Sequence, residues 1–407
     1  MATGHPEVLV LQRDDHGGQT VVAFSLDDVA FLRSVAGAGA LAEVANYRLT
    51  DATRIADVAA ARAAFGDHAG VLVETVLLRR RAAAKFAEAD RWLFTGEALQ
   101  QATTAAVAAH RARRLEGRTV HDVTCSIGTE LAALRLTAHV LGSDIDPVRL
   151  AMARHNVPDV PLVRADALRP VSRDAIVVAD PARRGSGRRI GDPRAFKPPL
   201  DKLLDTYRSC DFVVKCSPGI AFDRLSFLGE VEVTSLCGEV REACLWSAGL
   251  AEPHVARRAT MIRADESVEQ VTDVEPGDCP VASAGRWIID PDGAVVRAGL
   301  VRHYAARHGL WQLDPHIAYL SGEQLPPATR GFEVLEQIPF GERRLRRALA
   351  EMDCGAAEIL VRGVDVDPVA LRPRLRLRGT QQLSVVITRI GTGMRARSTA
   401  FICRPSR

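Results

Sequence analysis

A chain of 407 residues, 47% hydrophobic and 25% charged, is too long for one ordinary core and too apolar for general disorder, so two or three folded domains are expected. The net charge of +3 hides an asymmetry: residues 331–407 hold 14 arginines against 8 acidic residues, a balance of +6, which leaves −3 for residues 1–330. A basic end on a near-neutral body predicts a polyanionic partner. No apolar run reaches the ~18 residues of a membrane span, and Glu7, Arg13, Asp14 and Asp15 leave no secretory leader legible, so a cytoplasmic, membrane-free protein is expected. The eight cysteines form no CxxC pair, which predicts reduced thiols and no structural metal.

In chain order, residues 1–20 are polar and glycine-rich. From Ser25 to Glu88 the pattern is alanine-rich and helical, with Ser25, Thr50 or Asp51, and Asp67 available as N-caps. Thr95 is placed to cap a helix that begins at Gly96 and ends on Arg111, Arg113 and Arg114, cations that complement a helix C-terminus. A β-type run follows at Thr119–Val123, then a turn, a helical segment from Glu130 to Ala138, and a second apolar run that stops on Asp144. Asp146 precedes Pro147 as a helix cap. Further strands are expected at Val160–Arg164, Asp174–Ala179 and Asp211–Lys215, with an antiparallel hairpin turning at Gly238. Alternation of strand and helix closed by a hairpin gives an α/β fold with a mostly parallel, doubly wound sheet. Residues 266–330 are irregular. From Gly331 the pattern restarts as a small α+β module, and the alternating Arg372, Arg374, Arg376 and Arg378 would share one face of a strand.

The stretch from Thr119 to Pro147 is half of a nucleotide-binding βαβ unit, and a carboxylate at the end of its second strand can accept hydrogen bonds from two ribose hydroxyls. Its turn, Cys125-Ser126-Ile127-Gly128, has one glycine where a pyrophosphate would need a glycine-rich approach to a helix N-terminus. That argues against NAD or FAD. S-adenosyl-L-methionine carries no phosphate, so this looser turn suffices, with Asp122 and Asp144 at two strand ends and Asp166 beyond the third, where the adenine amino group would lie. Ile145 and Ala167 stand beside these acids.

Asp122-Val-Thr-Cys-Ser-Ile-Gly-Thr-Glu130 resembles the first motif of class I S-adenosylmethionine-dependent methyltransferases, usually D-x-G-x-G-x-G, with Ser126 and Thr129 read as replacing glycines. Val140-Leu-Gly-Ser-Asp-Ile-Asp-Pro147 closely resembles the second. Asp180-Pro181-Ala182-Arg183 resembles the D/N-P-P-Y/R motif of base-modifying members, with Ala182 in place of a proline. The C-terminal block, through Arg362-Gly-Val-Asp-Val-Asp-Pro368 and Gln381–Arg389, is similar to a THUMP-like domain. The resemblance implies a Rossmann-like seven-stranded core over 93–265, after an N-terminal α-helical unit over 1–92, with an irregular connection over 266–330 and a THUMP-like α+β domain over 331–407. It implies methyl transfer from S-adenosylmethionine to a base of RNA, tRNA or rRNA. A protein or small-molecule acceptor, and a degenerate core that only binds RNA, are the competing readings.

Within that reading Asp122, Cys125, Ser126, Gly128, Asp144, Ile145, Asp166 and Ala167 would contact the cofactor. Asp180, Pro181 and Arg183 would position the acceptor, Asp180 by accepting a hydrogen bond from a substrate N–H and aligning its lone pair. Arg183, Arg184 and Lys215 would contact the substrate, and Arg188 and Arg189 flank the same glycine-rich loop. Cys216 in Lys215-Cys-Ser-Pro218 is either a nucleophile or, more commonly for a strand-end cysteine, a buried thiol. Neither the oligomeric state nor the role of the N-terminal unit is legible.

Overall fold

The computed structural model describes the chain except at residues 1–11, 14–19, 22, 183, 186–187, 190–192, 223–224, 226, 392–395 and 407. Arg183 therefore lies outside the described residues, and Arg184, Arg188 and Arg189 are described by backbone alone. The chain divides into two compact units, one of Met1–Gly229 with Glu242–Ala251, the other of Glu230–Arg241 with Glu252–Arg407. Among the described residues no helix is long and apolar enough to cross a membrane. No two of the cysteines are bridged.

The first unit begins with helices α1 (Leu26–Leu32), α2 (Val35–Val44), α3 (Arg54–Phe65) and α4 (Ala69–Ala82). Ser25 caps α1 in a reciprocal capping box with Asp28, and Ser34, a cap that periodicity alone did not single out, serves α2. The expected caps at Thr50, Asp51 and Asp67 are not used as such: Thr53 precedes α3 without a side-chain cap bond, and Asp67 falls inside a short 3-10 turn. The apolar face of these helices packs into one core with Ile127 and Met152, so the helical segment is stabilised against the turn after the first strand and the helix after the second. Asn156 fastens the connection: its buried side chain donates to the carbonyls of Leu93 and Ile127 and accepts from the Leu93 amide.

After α5 (Gly96–Gln101), capped by Thr95 as expected, and α6 (Ala105–Arg114) come the strands β1 (Thr119–Asp122), β2 (His139–Asp144), β3 (Leu162–Arg164), β4 (Ile176–Ala179) and β5 (Phe212–Cys216). Helices α7 (Thr129–Leu134), α8 (Pro147–Asn156) and α9 (Leu200–Thr206) connect them. β1 pairs with both β2 and β4, β2 with β3, and β4 with β5, all parallel. The antiparallel Ala243–Trp246 segment of β7 (Glu239–Ser247) adds to β5. The order is thus β3-β2-β1-β4-β5-β7. Every residue of β4 and of β5 is buried, as strands covered on both faces require.

In the second unit, β6 (Gly229–Leu236) pairs in parallel with β8 (Arg257–Ile262), which pairs antiparallel with β9 (Val268–Thr272). Cys237 and Gly238 follow β6, both at positive φ (52° and 83°), the pair of conformations that a type I′ hairpin turn demands. The segment expected to be irregular carries two helices, α10 (Gly293–Ala298) and α11 (Val301–Arg307), and Gly299 ends the first in the left-handed conformation. A second sheet runs in the order β11 (Trp311–Gln312), β12 (Leu320–Gly322), β10 (Trp287–Ile289), β13 (Gly331–Pro339), β16 (Arg397–Pro405), β15 (Gln381–Ile390), β14 (Cys354–Arg362).

Helices α12 (Glu342–Glu351) and α13 (Pro368–Leu375) cover that second sheet. The strand expected through Arg372–Arg378 is replaced by α13. Asp367 caps the Val369 amide, Pro368 takes the first helical position, and Leu371 and Leu375 are buried at a spacing of four, so the helical period wins over the alternation.

Candidate active site

At the C-terminal ends of β1, β2 and β4 the first unit opens a cleft of about 520 Å³. Its walls include Asp122, Cys125, Ser126, Asp144, Ile145, Asp166, Ala167, Asp180 and Lys215, each expected in the site from the sequence. Among the described residues, Gly128 and Pro181 do not line it.

The turn after β1 is shaped by its acids. Asp122 Oδ1 accepts from the Thr124 amide at 3.1 Å, and Asp144 Oδ2 from the Ser126 amide at 2.8 Å. Ser126 and Gly128 both have positive φ, 51° and 89°, so Ser126 adopts a glycine-like conformation without being glycine. Gly128 caps α7, and a Cβ there would come within 3.0 Å of Val157 Cγ2. Gly142 in β2 is closely packed: a Cβ there would meet the side-chain tips of Leu131 at 2.6 Å and Leu162 at 2.7 Å. The turn is therefore held close to the sheet by missing side chains and by carboxylate-to-amide bonds.

Asp144 also accepts from the Asp146 amide at 2.8 Å through Oδ1, and Asp146 caps α8 through the Val148 and Arg149 amides. Burial pushes the Asp144 carboxyl above its ordinary pKa, against the pull of these backbone donors. Burial and the neighbouring Glu130 push Asp122 up further. Asp166 accepts from the Leu168 amide at 2.9 Å. Ile145, 64% exposed, presents an apolar surface beside Asp144.

Counted from Asp122, the first glycine of the D-x-G-x-G-x-G pattern falls on Thr124. Its hydroxyl accepts from the Asp180 amide at 2.7 Å, a bond no glycine could make. Asp180 Oδ2 accepts from Lys215 Nζ at 2.6 Å. Ala182 is tied back to Lys197 by two backbone hydrogen bonds, of 2.8 and 3.0 Å, and Lys197, Pro198 and Pro199 form part of the cleft wall. Cys216 is fully buried and does not line the cleft, whereas Val213 and Lys215 do. The alternation of a strand turns Cys216 to the other face.

Residues the sequence reading missed lie behind Asp180. Arg111, 3% exposed, bonds to Glu130 Oε1 at 2.9 Å and to Glu242. Glu242 lies 3.9 Å from Lys215, and Thr103 accepts from Lys215 at 2.7 Å. Burial alone would raise Glu242 and lower Lys215 and Arg111; the opposite charges outweigh it, holding Glu242 below and the two cations above their ordinary values. The sequence marks Arg111 only as one of three cations at a helix C-terminus. The legible signal was a charged residue directly beside an apolar run in each of two strands, Lys215 after Phe212-Val-Val214 and Glu242 before Ala243-Cys-Leu-Trp246.

The chemistry of this donor set favours one kind of ligand. Asp122, Asp144 and Asp166, three of the carboxyls on the cleft wall, can accept hydrogen bonds from hydroxyl, amino and ammonium groups. A cationic nucleoside with two ribose hydroxyls, an adenine amino group and an ammonium matches them.

A family model described as THUMP domain-like matches residues 329–405, and one for a domain of unknown function matches residues 25–82. An uncharacterized S-adenosylmethionine-dependent methyltransferase of Mycobacterium tuberculosis, found in two strains, is 65% identical over 360 residues, covering 85% of this chain and 100% of the relative. A crystal structure of a Porphyromonas gingivalis W83 protein assigned as a methyltransferase matches with a TM-score of 0.68 at 20% identity, covering 94% of this chain and 100% of that one. At that identity the likeness is one of fold.

Proposed function

This chain belongs to the S-adenosylmethionine-dependent methyltransferases, and from that premise we propose that its acceptor is a base of RNA, held by Asp180. S-adenosylmethionine, when bound, supplies a methyl group already activated on a sulfonium. The work left to the chain is positioning and proton removal, which can supply much of the rate.

In this reading Asp144 takes the two ribose hydroxyls, Ile145 and Ala167 flank the adenine, and Asp166 accepts from its amino group. Asp122 and the turn Cys125-Ser126-Ile127-Gly128 take the methionine end. Asp180 is the observation that carries the acceptor reading. It ends β4 on the cleft wall, its amide is fixed by Thr124, and its carboxylate is one-third exposed, so it can accept a hydrogen bond from an N–H entering the cleft. Pro181 and Arg183 complete the acceptor motif, and Arg183 and Arg184 would meet substrate phosphates.

RNA as the acceptor is supported by the THUMP-like match over residues 329–405 and by the surface of α12 and α13. Arginines 343, 344, 346 and 347 on one helix, and 372, 374, 376 and 378 on or just after the other, are all exposed, and the two helices pack together. A cationic face of this density attracts a phosphate backbone without reading sequence.

The test is mass spectrometry of nucleosides from the total RNA of cells with and without the gene. One methylated nucleoside is expected to disappear from the deletion strain. An unchanged nucleoside profile would turn the acceptor into a protein or small molecule, or make the domain a binding module.

A further inference from the structure

Lys215 sits in a strand otherwise apolar and buried, with 7% of its side chain exposed. Its Nζ donates to Asp180 Oδ2 at 2.6 Å, to Thr103 Oγ1 at 2.7 Å and to the Gln101 carbonyl at 3.4 Å, which accounts for its three N–H groups. A buried ion pair is a poor way to gain stability, because an apolar residue fills the same space without desolvating two charges. The arrangement is better explained by what it does to Asp180, the one member that is a third exposed to the cleft.

We propose that Lys215 is the positioning residue of the methyl transfer, fixing the Asp180 carboxylate in the orientation that receives the acceptor's proton. This rests on the reading of Asp180 as the acceptor contact. In the transfer, the lone pair of the acceptor nitrogen forms the bond to the methyl carbon as the carbon–sulfur bond breaks, its pair staying on sulfur. The proton on that nitrogen passes to Asp180 and from there to water at the cleft mouth. Lys215, an ammonium with no acceptor site, takes no proton and acts through Asp180.

Glu242 completes the device. While Asp180 holds the proton it is neutral, and Lys215 keeps a charge partner because Glu242 lies 3.9 Å away. Glu242 is in turn held by Arg111, and Arg111 by Glu130. The buried charges therefore stay paired on both sides of the proton transfer. That pairing keeps the cost of neutralising Asp180 low.

The experiment uses the full-length protein as wild type, Lys215→Met, Lys215→Arg and Thr103→Val. Each is incubated with methyl-tritiated S-adenosylmethionine and unfractionated lysate from cells lacking the gene, across about pH 6 to 9, and label is counted separately in RNA, protein and small molecules. Lys215→Met is expected to transfer methyl at least ~100-fold more slowly. Its calorimetric affinity for S-adenosylmethionine should stay within about threefold of wild type, and Lys215→Arg should recover part of the rate.

Rates for Lys215→Met within about threefold of wild type at every pH, or a Lys215→Arg as slow as Lys215→Met, overturn the proposal. If Lys215→Met does not fold by circular dichroism, Thr103→Val decides: it removes one acceptor and no charge, and a rate equal to wild type overturns the proposal. Label confined to protein or small molecules sinks the RNA reading, while Lys215 is still judged on that fraction. No label in any fraction with wild type overturns both.

Discussion

Thr124 Oγ1 accepts a hydrogen bond from the amide of Asp180 at 2.7 Å, joining the turn after β1 to the first residue of the acceptor motif. The turn that would hold the methyl donor and the residue that would hold the acceptor are thus set by one bond. Thr124→Val keeps the shape and leaves the part-buried Asp180 amide without its partner, a loss of about 1 kcal/mol. Methyl transfer is expected to fall about tenfold while cofactor affinity changes less than about threefold. Equal losses in rate and affinity would mean that the turn itself had collapsed.

Asp144 accepts two backbone amides, one on each oxygen, and those bonds aim its carboxylate into the cleft. If it also takes two ribose hydroxyls, Asp144→Ala removes two charge-assisted bonds at once. A loss of about 3 kcal/mol, roughly a hundredfold in Kd, is expected by calorimetry, with Asp144→Asn intermediate. Wild-type affinity in the alanine variant would remove Asp144 from the ribose site.

The parts of this molecule that could be read in advance are those in which local chemistry and tertiary environment agree. β4 and β5 are apolar because both faces are covered, and Asp144 and Asp180 stand out because each ends a buried strand. Thr124, Arg111 and Glu242 were not legible, because their partners lie between 19 and 139 positions away in sequence and only the sheet brings them together. The arginine run after Leu371 failed for another reason. With leucines at 371, 375 and 377 its period of two and its period of four overlap, and the Asp367-Pro368 start signal had to arbitrate.

His121 gives a pH dependence whose sign can be worked out. Its ring is buried, its nitrogens bonded to Ser172 Oγ at 2.7 Å and Ser143 Oγ at 2.9 Å, and burial pushes its pKa down to about 4 from 6.5. Between those values the unfolded chain binds a proton that the folded chain does not, so stability is complete above the upper value and is lost as pH falls toward the lower. The loss is at most about 3 kcal/mol. Urea unfolding is expected to show wild type weakening between about pH 6.5 and 4.5, and His121→Gln weakening less. Parallel curves for the two proteins would assign the acid sensitivity elsewhere.

Asp122 has the opposite sign. Burial, then Glu130, raise this carboxyl well above its usual value. An acid with a raised folded pKa contributes stability below its unfolded pKa of about 3.8 and loses it as pH climbs through the folded one. Near neutral pH this buried acid is thus a burden on the fold. Asp122→Asn, which can still accept the Thr124 amide, is expected to raise the melting temperature at pH 7, the gain shrinking toward about pH 4. The same variant should bind S-adenosylmethionine more weakly if Asp122 faces the methionine ammonium. A lower melting temperature at pH 7 would contradict the burial argument.

The arginine face of α12 and α13 is tested through salt. On α12, Leu345, Ala348 and Leu349 are buried, whereas Arg343, Arg344, Arg372 and Arg378 are exposed, so replacing those arginines should not disturb the core. Each phosphate that a cation neutralises contributes about 0.7–0.9 to the slope of log K against log salt. Changing Arg343, Arg344, Arg372 and Arg378 to Gln is expected to flatten that slope by roughly 3 for total tRNA or rRNA. Cofactor affinity should not change, because the cleft lies in the first unit. An unchanged slope would place the RNA contacts elsewhere, with the loop at Arg183 and Arg184 the next to vary. No RNA affinity at any salt in the wild type would remove the polyanionic partner altogether.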